Sequence, residues 1–392
     1  MSFHETALRD FGAAVQRLID GHDLGRERIY ELFRETLLAE QPDLHQGALL
    51  AALVAKGETP EEIAGAWQAI VDFDTVPAAV AFVVAGSGAS GGSAGRGPLV
   101  ENSGTGMDAL KTFNVSSAAA IIAAAAGARL ARHGARALTS RCGAVDILEA
   151  VGVDVECDVA VVERSIATAG IGIFNGMSAA VHPGGLGRIL SQIRFGSTLN
   201  IAASLANPMR PTHGVRGVYA DGLLGPVGDV MLEIGYEHAL VVHGYDDRRE
   251  AGMDEFSVLG ASVVSELHAD GRRDAFTVEP EDFGIRRAAH AEIAPLPDLQ
   301  SEAVRFVQVL GGSGHEACGD AACLNAAAVL YVAGEATDLG DGLAQAREAV
   351  ASGAALRKLE EWVAAQAGGV DQRHAGEARL TSLLSEAGIG AR

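Results

Sequence analysis

Cysteine and positive charge are both scarce in this chain. Four cysteines, Cys142, Cys157, Cys318 and Cys323, are scattered through 392 residues without a C-x-x-C pair. That spacing argues against a disulfide framework or a common zinc knuckle and suits reduced thiols in a cytoplasm. Lysine and arginine number 30 against 51 aspartates and glutamates, for a net charge of −21. A surface of that sign repels nucleic acid and anionic membrane, so neither is expected as a partner, and any phosphate site must be a local exception. No apolar run is both long enough and apolar enough to span a bilayer. The opening Met1-Ser2-Phe3-His4-Glu5 lacks the basic and apolar regions of a signal peptide. What is plentiful is core material: hydrophobic residues make up 48% of the chain, enough for a large core in two subdomains.

The first 75 residues read as helices with short joints. Phe11, Val15, Leu18 and Ile19 share one helical face. Further helices are expected over 24–38 and 47–56. Thr59-Pro60-Glu61-Glu62 combines a cap, a proline in the first turn and two acids, and so starts another. Val76–Ala85 is compatible with a strand, and Gly86–Gly97 is a Gly/Ser-rich loop. From Leu99 onward short apolar runs alternate with amphipathic segments, which implies a mostly parallel α/β domain. Expected strands lie near 128–133, 171–174, 215–218, 239–242 and 276–278. Expected helices cover 118–126, 144–150, 225–234, 320–333 and 341–366.

The segment richest in chemistry is Ser103-Gly104-Thr105-Gly106-Met107-Asp108, followed by Asn114-Val115-Ser116-Ser117 and an alanine-rich helix. Glycines let backbone N–H groups close around an anion, and a helix N-terminus adds unpaired donors. Asp108 and the Ser116 hydroxyl are hard oxygen donors suited to Mg²⁺. The same residues also suit an ordinary glycine turn before a capped helix. Far downstream, Asp254-Glu255 is either a metal-holding acidic pair or a solvated surface pair.

Taken in order, these motifs resemble the anthranilate phosphoribosyltransferase family, from about residue 7 to residue 366. The family's G-T-G-G-D reads here as Gly104-Thr105-Gly106-Met107-Asp108, its N-x-S-T as Asn114-Val115-Ser116-Ser117, and its K-H-G-N-R as Arg132-His133-Gly134-Ala135-Arg136. Its acidic metal pair matches Asp254-Glu255, and Asn207-Pro208 and Leu324-Asn325-Ala326 agree less specifically. The resemblance implies a homodimer with a small discontinuous helical domain (1–75 and 176–196) and a large α/β domain (76–175 and 197–392). It implies Mg²⁺-dependent transfer from 5-phosphoribosyl 1-diphosphate to an aromatic or heteroaromatic acceptor at the hinge. Asp108, Arg132 and His133 then take catalytic roles. Gly104, Thr105, Gly106, Asn114, Ser116, Ser117, Gly134, Arg141 and Arg188 bind substrate, and Ser116, Asp254 and Glu255 hold metal.

Several positions depart from the family pattern. Met107 crowds the diphosphate turn, Arg132 replaces a lysine, and Ala135 replaces an asparagine. Arg141-Cys142-Gly143-Ala144 replaces K-S-G-S, which removes two hydroxyls. The arginine that would bind an acceptor carboxylate falls near Leu190, with Arg188 and Arg194 out of register. An acceptor other than anthranilate is therefore expected. A nucleoside phosphorylase or a non-catalytic binding relative are the alternatives.

Overall fold

The structure, a computed structural model, describes residues 4–79, 97–106, 108–137, 142–193 and 195–390. It opens with α1 (Glu5–Ile19), α2 (Gly25–Leu37), α3 (Asp43–Lys56) and α4 (Pro60–Asp74). The expected start at Thr59 is a capping box: Glu62 N–H donates to Thr59 Oγ1 at 3.2 Å, and Thr59 N–H donates to the Glu62 carboxylate at 2.9 Å. That buried carboxylate also accepts Leu24 N–H at 3.0 Å and pairs with Lys56 Nζ at 2.9 Å. One side chain thus ties the start of α2 and the end of α3 to the start of α4. Phe11, Val15 and Leu18 pack with Ile29, Phe33, Leu50 and Ile70 in a core that continues into Val230, Met231, Val241 and Leu267 further along the chain.

The remainder is built on a sheet. In chain order come β1 (Leu99–Gly104), α5 (Val115–Ala125), β2 (Arg129–Gly134), α6 (Ala144–Ala150), α7 (Val159–Ala169), β3 (Ile171–Asn175), α8 (Leu186–Gln192) and α9 (Leu199–Ala202). Then follow β4 (His213–Gly217), α10 (Leu224–Glu233), β5 (His238–Tyr245), the short β6 (Gly252–Met253), β7 (Ser262–His268) and β8 (Arg273–Val278). The strand order is β3-β2-β1-β4-β5-β7-β8, with β6 beside β5. The first five strands of that order are mutually parallel, and β7 and β8 close the edge antiparallel. One face is covered by α5 and by C-terminal helices, among them α11 (His290–Ile293), α12 (Leu299–Leu310) and α13 (Glu316–Val332). Small side chains such as Ala119, Ala123, Ala322 and Ala326 fill this layer, and they let α5 and α13 approach closely.

The architecture is therefore a small helical domain joined to a large α/β domain with a mostly parallel sheet. Several elements differ from expectation. The helix expected over 341–366 is two helices, α14 (Leu339–Ala351) and α15 (Ala354–Ala365), because Gly353 at φ +71° is left-handed and ends the run. Helices α7 and α12, a final helix, α16 (Val370–Glu386), and strand β7 are among the elements with no counterpart in the sequence expectation. The expected strand over 76–85 and the 86–97 loop lie largely outside the described residues.

Leu186 and Ile189 of α8 are buried in the core of the N-terminal helices, as are Leu199, Ile201 and Leu205, so this packing runs past residue 196. The crossings between domains are clasped together. Val76 N–H donates to Val181 O at 2.9 Å, His182 Nδ1 lies 2.6 Å from Asp74 O, and the Asp74 carboxylate accepts the N–H groups of Gly184 and Leu186.

Candidate active site

In a parallel sheet of this kind, ligands bind beyond the carboxyl ends of the strands, where the strand order reverses. Here that point is β1, flanked by β2 and β4. β1 delivers Ser103 and Gly104 to the edge, β2 delivers Arg132, His133 and Gly134, and β4 ends at Gly217. Beyond β1 the chain turns through Thr105 and Gly106, and Thr105 N–H donates to Gly217 O at 3.0 Å.

The distant acidic pair arrives at the same place. β6 pairs with the end of β5 and returns Asp254 and Glu255 over the mouth of β1 and β4. Asp254 Oδ2 accepts Gly106 N–H at 2.7 Å. A methyl group on Gly104 would overlap the Asp254 carboxylate, and one on Gly217 would overlap the Asp254 carbonyl. These glycines are required because the acidic loop lies directly on the strand ends. Glu255 accepts Thr112 Oγ1–H at 2.9 Å and Ser116 Oγ–H at 3.2 Å. Asp108 sits alongside, paired with Lys111 at 2.8 Å.

Burial, first, and the neighbouring carboxylates push the carboxyls of both Asp254 and Glu255 above the usual range; for Asp254 the neighbour is Asp108, and for Glu255 both Asp254 and Asp108. Two carboxylates and a serine hydroxyl on one wall are a hard-oxygen set with unmet positive demand. That donor chemistry fits a divalent cation of the magnesium type.

Arg132 lies under the glycine turn, buried, with Nε donating to Asn102 Oδ1 at 3.0 Å and Nη1 to Ser117 Oγ at 2.8 Å. Burial draws its guanidinium down to about 10, against the pull of Glu101 and Glu255, so it stays a cation at neutral pH. His133 Nε2 lies 2.9 Å from His182 Nε2. Burial, then mutual repulsion, lowers His133 to about 3, and burial lowers His182 to about 4, so the pair is neutral at pH 7.

The result is one cleft of about 460 Å³. It brings together Gly104, Thr105, Gly106, Asp108, Asn114, Ser116, Ser117, Arg132, His133, Gly134, Asp254 and Glu255. Its far wall is a nearly continuous stretch from Leu190 to Ser204, with Ile193, Phe195, Leu199 and Ala203 apolar and Ser197, Asn200 and Ser204 polar. Arg188 is not on that wall, which corrects its expected substrate contact. Its guanidinium faces the helical domain, bonding to Asp43 at 3.1 Å, Gln46 at 2.9 Å and the Thr36 carbonyl at 3.0 Å. Arg141, Met107 and Arg194 lie outside the described residues.

Two contributors were not assigned roles from sequence. Gly217 carries no motif. Asn325 accepts Phe256 N–H at 2.9 Å and donates to Phe256 O at 3.0 Å, which fixes the residue after the acidic pair to α13. The sequence flagged Asn325 by resemblance but not its task.

A glycine cradle facing buried metal-suited acids, at the reversal point of a parallel sheet, defines a site for transfer of a phosphorylated group. Comparisons with known proteins make the class specific. Residues 96–356 match the glycosyl transferase family, a/b domain, and residues 13–73 match the glycosyl transferase family, helical bundle domain. The chain is 37% identical over 354 residues to the anthranilate phosphoribosyltransferase of Anaeromyxobacter dehalogenans (strain 2CP-C), covering 90% of this chain and 97% of the relative. The crystal structure of anthranilate phosphoribosyltransferase from Thermus thermophilus superimposes with a TM-score of 0.77 at 32% identity, over 90% of this chain and 99% of that one. The Saccharomyces cerevisiae enzyme, solved in complex with PRPP and Mg, shares the fold at a TM-score of 0.77 and 21% identity, over 93% of this chain and 98% of that one. The chain therefore belongs to the anthranilate phosphoribosyltransferase family of glycosyl transferases and is an enzyme of the phosphoribosyltransferase class.

Proposed function

We propose that the protein transfers a 5-phosphoribosyl group from 5-phosphoribosyl 1-diphosphate, with Mg²⁺, to an aromatic or heteroaromatic acceptor other than anthranilate. The observation that carries this reading is the convergence of Gly106 N–H, Asp254, Glu255 and Ser116 on one cleft wall. Mg²⁺ held by Asp254, Glu255 and Ser116 would supply charge neutralisation at the departing diphosphate. The Gly104–Gly106 turn would face the diphosphate, with Gly106 N–H turning to it from Asp254, and the Ser117 hydroxyl, backed by Arg132, would take the 5-phosphate. Asp108 and Asn114 face the ribose side. The C1–oxygen bond to diphosphate breaks, the acceptor atom bonds to C1 as positive character develops there, and the acceptor's proton passes to the departing diphosphate or to solvent. Positioning and charge stabilisation suffice for this reaction, with no side-chain nucleophile. His133, neutral at pH 7 and held by His182, orients the wall rather than donating charge.

The acceptor end of the cleft supports the second half of the proposal. The described cations on the cleft wall are Lys111, Arg132 and Arg136, and all are engaged. Arg136 alone meets three carboxylates, Asp146 at 3.2 Å, Glu149 at 2.7 Å and Glu156 at 2.8 Å. Among the described residues, a carboxylate against Leu190 and Leu199 finds no unengaged cation. A neutral ring fits the lining better. Exposed Ile19 and Leu44, 64% and 86% accessible on α1 and α3, are consistent with a homodimer through the helical domain, and the cysteine pattern suits the cytoplasm. The domains are taken as 1–75 with 176–196, and 76–175 with 197–392.

Titration with 5-phosphoribosyl 1-diphosphate should show Mg²⁺-dependent binding that Asp254→Ala weakens at least tenfold. Absence of binding would favour a non-catalytic relative, and productive binding of a nucleoside with inorganic phosphate would favour a phosphorylase. Leu190→Arg places a guanidinium on the acceptor wall. Charge-assisted hydrogen bonds contribute about 1.5–3 kcal/mol, so this change should raise kcat/KM for anthranilate about 10- to 100-fold. Steady-state kinetics with anthranilate and a panel of neutral heteroaromatic acceptors measures it. Anthranilate turnover by the unaltered protein as fast as any neutral acceptor would overturn the altered-acceptor proposal.

A further inference from the structure

The edge of the sheet opposite the active site carries a second cluster of ligating side chains. His238 opens β5 and His268 closes β7, and the two stand directly opposite in the antiparallel ladder. Glu266 lies two residues before His268 on the same face, opposite Asp274 of β8. Strand spacing alone therefore brings two imidazoles and a carboxylate onto one patch. His238 Nε2 is 2.9 Å from Glu266 Oε1, His268 Nε2 is 4.0 Å from the same oxygen, and the three ligand atoms all lie within 4.8 Å of one another. A tetrahedral zinc ion with bonds of about 2.0–2.1 Å sets its ligand atoms about 3.3 Å apart. Side-chain rotations of about 1 Å meet that spacing.

The surroundings favour a cation. The Glu266 side chain is only 9% exposed, and among the described residues its ion-pair partners are the two imidazoles, with no lysine or arginine. Tyr331 at the end of α13 donates its hydroxyl to Glu266 Oε1 at 2.8 Å, and its ring stands edge-on to His238 at 5.4 Å, which fixes two of the three ligands from outside. Asp274 Oδ2 lies 3.0 Å from His268 Nε2, outside the three-residue cluster and paired with Arg272, and becomes a fourth donor only by leaving that arginine. Both imidazoles are 23% exposed, so an ion can enter from solvent. Two imidazoles with one carboxylate suit zinc and its first-row neighbours rather than magnesium, which prefers oxygens and water. The catalytic acids lie level with Val242–Gly244, four to six residues along β5 from His238, or about 13–20 Å away.

We propose that His238, Glu266 and His268, with Asp274 as the fourth donor, form a structural site for a zinc-class divalent cation that fastens the β7–β8 hairpin to β5. The test is calorimetric Zn²⁺ titration of metal-stripped full-length protein, repeated in an Asp254→Asn/Glu255→Gln background to silence the catalytic acids. One equivalent of Zn²⁺ should bind in the silenced background, in addition to any taken up by the catalytic acids of the unaltered protein. His238→Asn/His268→Asn should weaken that binding at least 100-fold, and the intense visible bands of the Co²⁺-substituted protein should disappear with it. Arg272→Gln removes a competing positive charge and frees Asp274, so it should tighten Zn²⁺ binding several-fold, a gain that a damaged fold does not produce. Zn²⁺ binding unchanged in the double histidine variant, no Zn²⁺ bound in the catalytically silenced background, or an Arg272→Gln affinity no tighter than that of the unaltered protein would each overturn the proposal.

Discussion

Glu255→Gln should make the metal-free protein more stable and nearly inactive at once. Glu255 is buried beside Asp254 and Asp108, and its carboxyl is pushed up by burial first and by those two charges next. Folded protein therefore holds protons on this pair at pH values where the unfolded chain has released them. Stability of the metal-free protein falls as pH rises from the ordinary carboxylate range, about 4, toward the raised folded values, and levels off above them. A neutral glutamine removes one charge from the cluster and retains partners in the Thr112 and Ser116 hydroxyls. Each unit of relieved shift is worth about 1.4 kcal/mol, so a gain of about 1–3 kcal/mol is expected near pH 8, shrinking toward pH 5. Removing a ligand charge from a leaving-group site should meanwhile cost about 10²–10³-fold or more in kcat/KM. Mg²⁺ should stabilise the unaltered protein increasingly as pH rises, and stabilise the variant much less. Thermal melts from pH 5 to 8.5, with and without Mg²⁺, measure this. A metal-free melting temperature that does not fall with pH relative to the variant would remove the basis for the cation site.

Gly217→Ala should do the reverse, costing both stability and activity although residue 217 bears no reacting group. The added methyl would overlap the Asp254 backbone carbonyl. A carbonyl cannot rotate away as a side-chain tip can, so the acidic loop as a whole must lift. That loop is held by Gly106 N–H on one side and by Asn325 through Phe256 on the other. Overpacking of this kind costs about 1–3 kcal/mol. An ångström of displacement at the reacting centre costs about 10²-fold in rate. Melting temperature and Mg²⁺-dependent sugar diphosphate binding should both fall. A variant with unchanged Mg²⁺ dependence would mean that the acids do not act from the position described.

Much of this site could be read from sequence because its chemistry sits in short contiguous motifs. The glycine turn, Asn114–Ser117, Arg132–Gly134 and the acidic pair all reach the cleft. What could not be read acts through backbone or through long-range pairing. Gly217 matters for what it lacks, and only the β4–β6 approach reveals that. Asn325 works through two main-chain bonds to a loop 69 residues away in sequence. Arg188 was misplaced because sequence locates a residue on a helix but not the direction its guanidinium takes, and three partners in the helical domain hold it there. The 341–366 helix looked continuous because its apolar period survives the break at Gly353. The His238–Glu266–His268 cluster is invisible without the β5–β7 register, since its members come from strands whose pairing no local pattern states.

The wall from Leu190 to Ser204 is one run of chain, pinned at its start to the helical bundle and at its end beside the sheet, whereas the proposed phosphate and metal contacts come from β1, the start of α5, β2 and the loop after β6. On the proposed reading, recognition of the second substrate falls mainly to this single run of chain. Revising those fifteen or so positions would then change the aromatic partner while the glycine turn and the acidic pair stay in place.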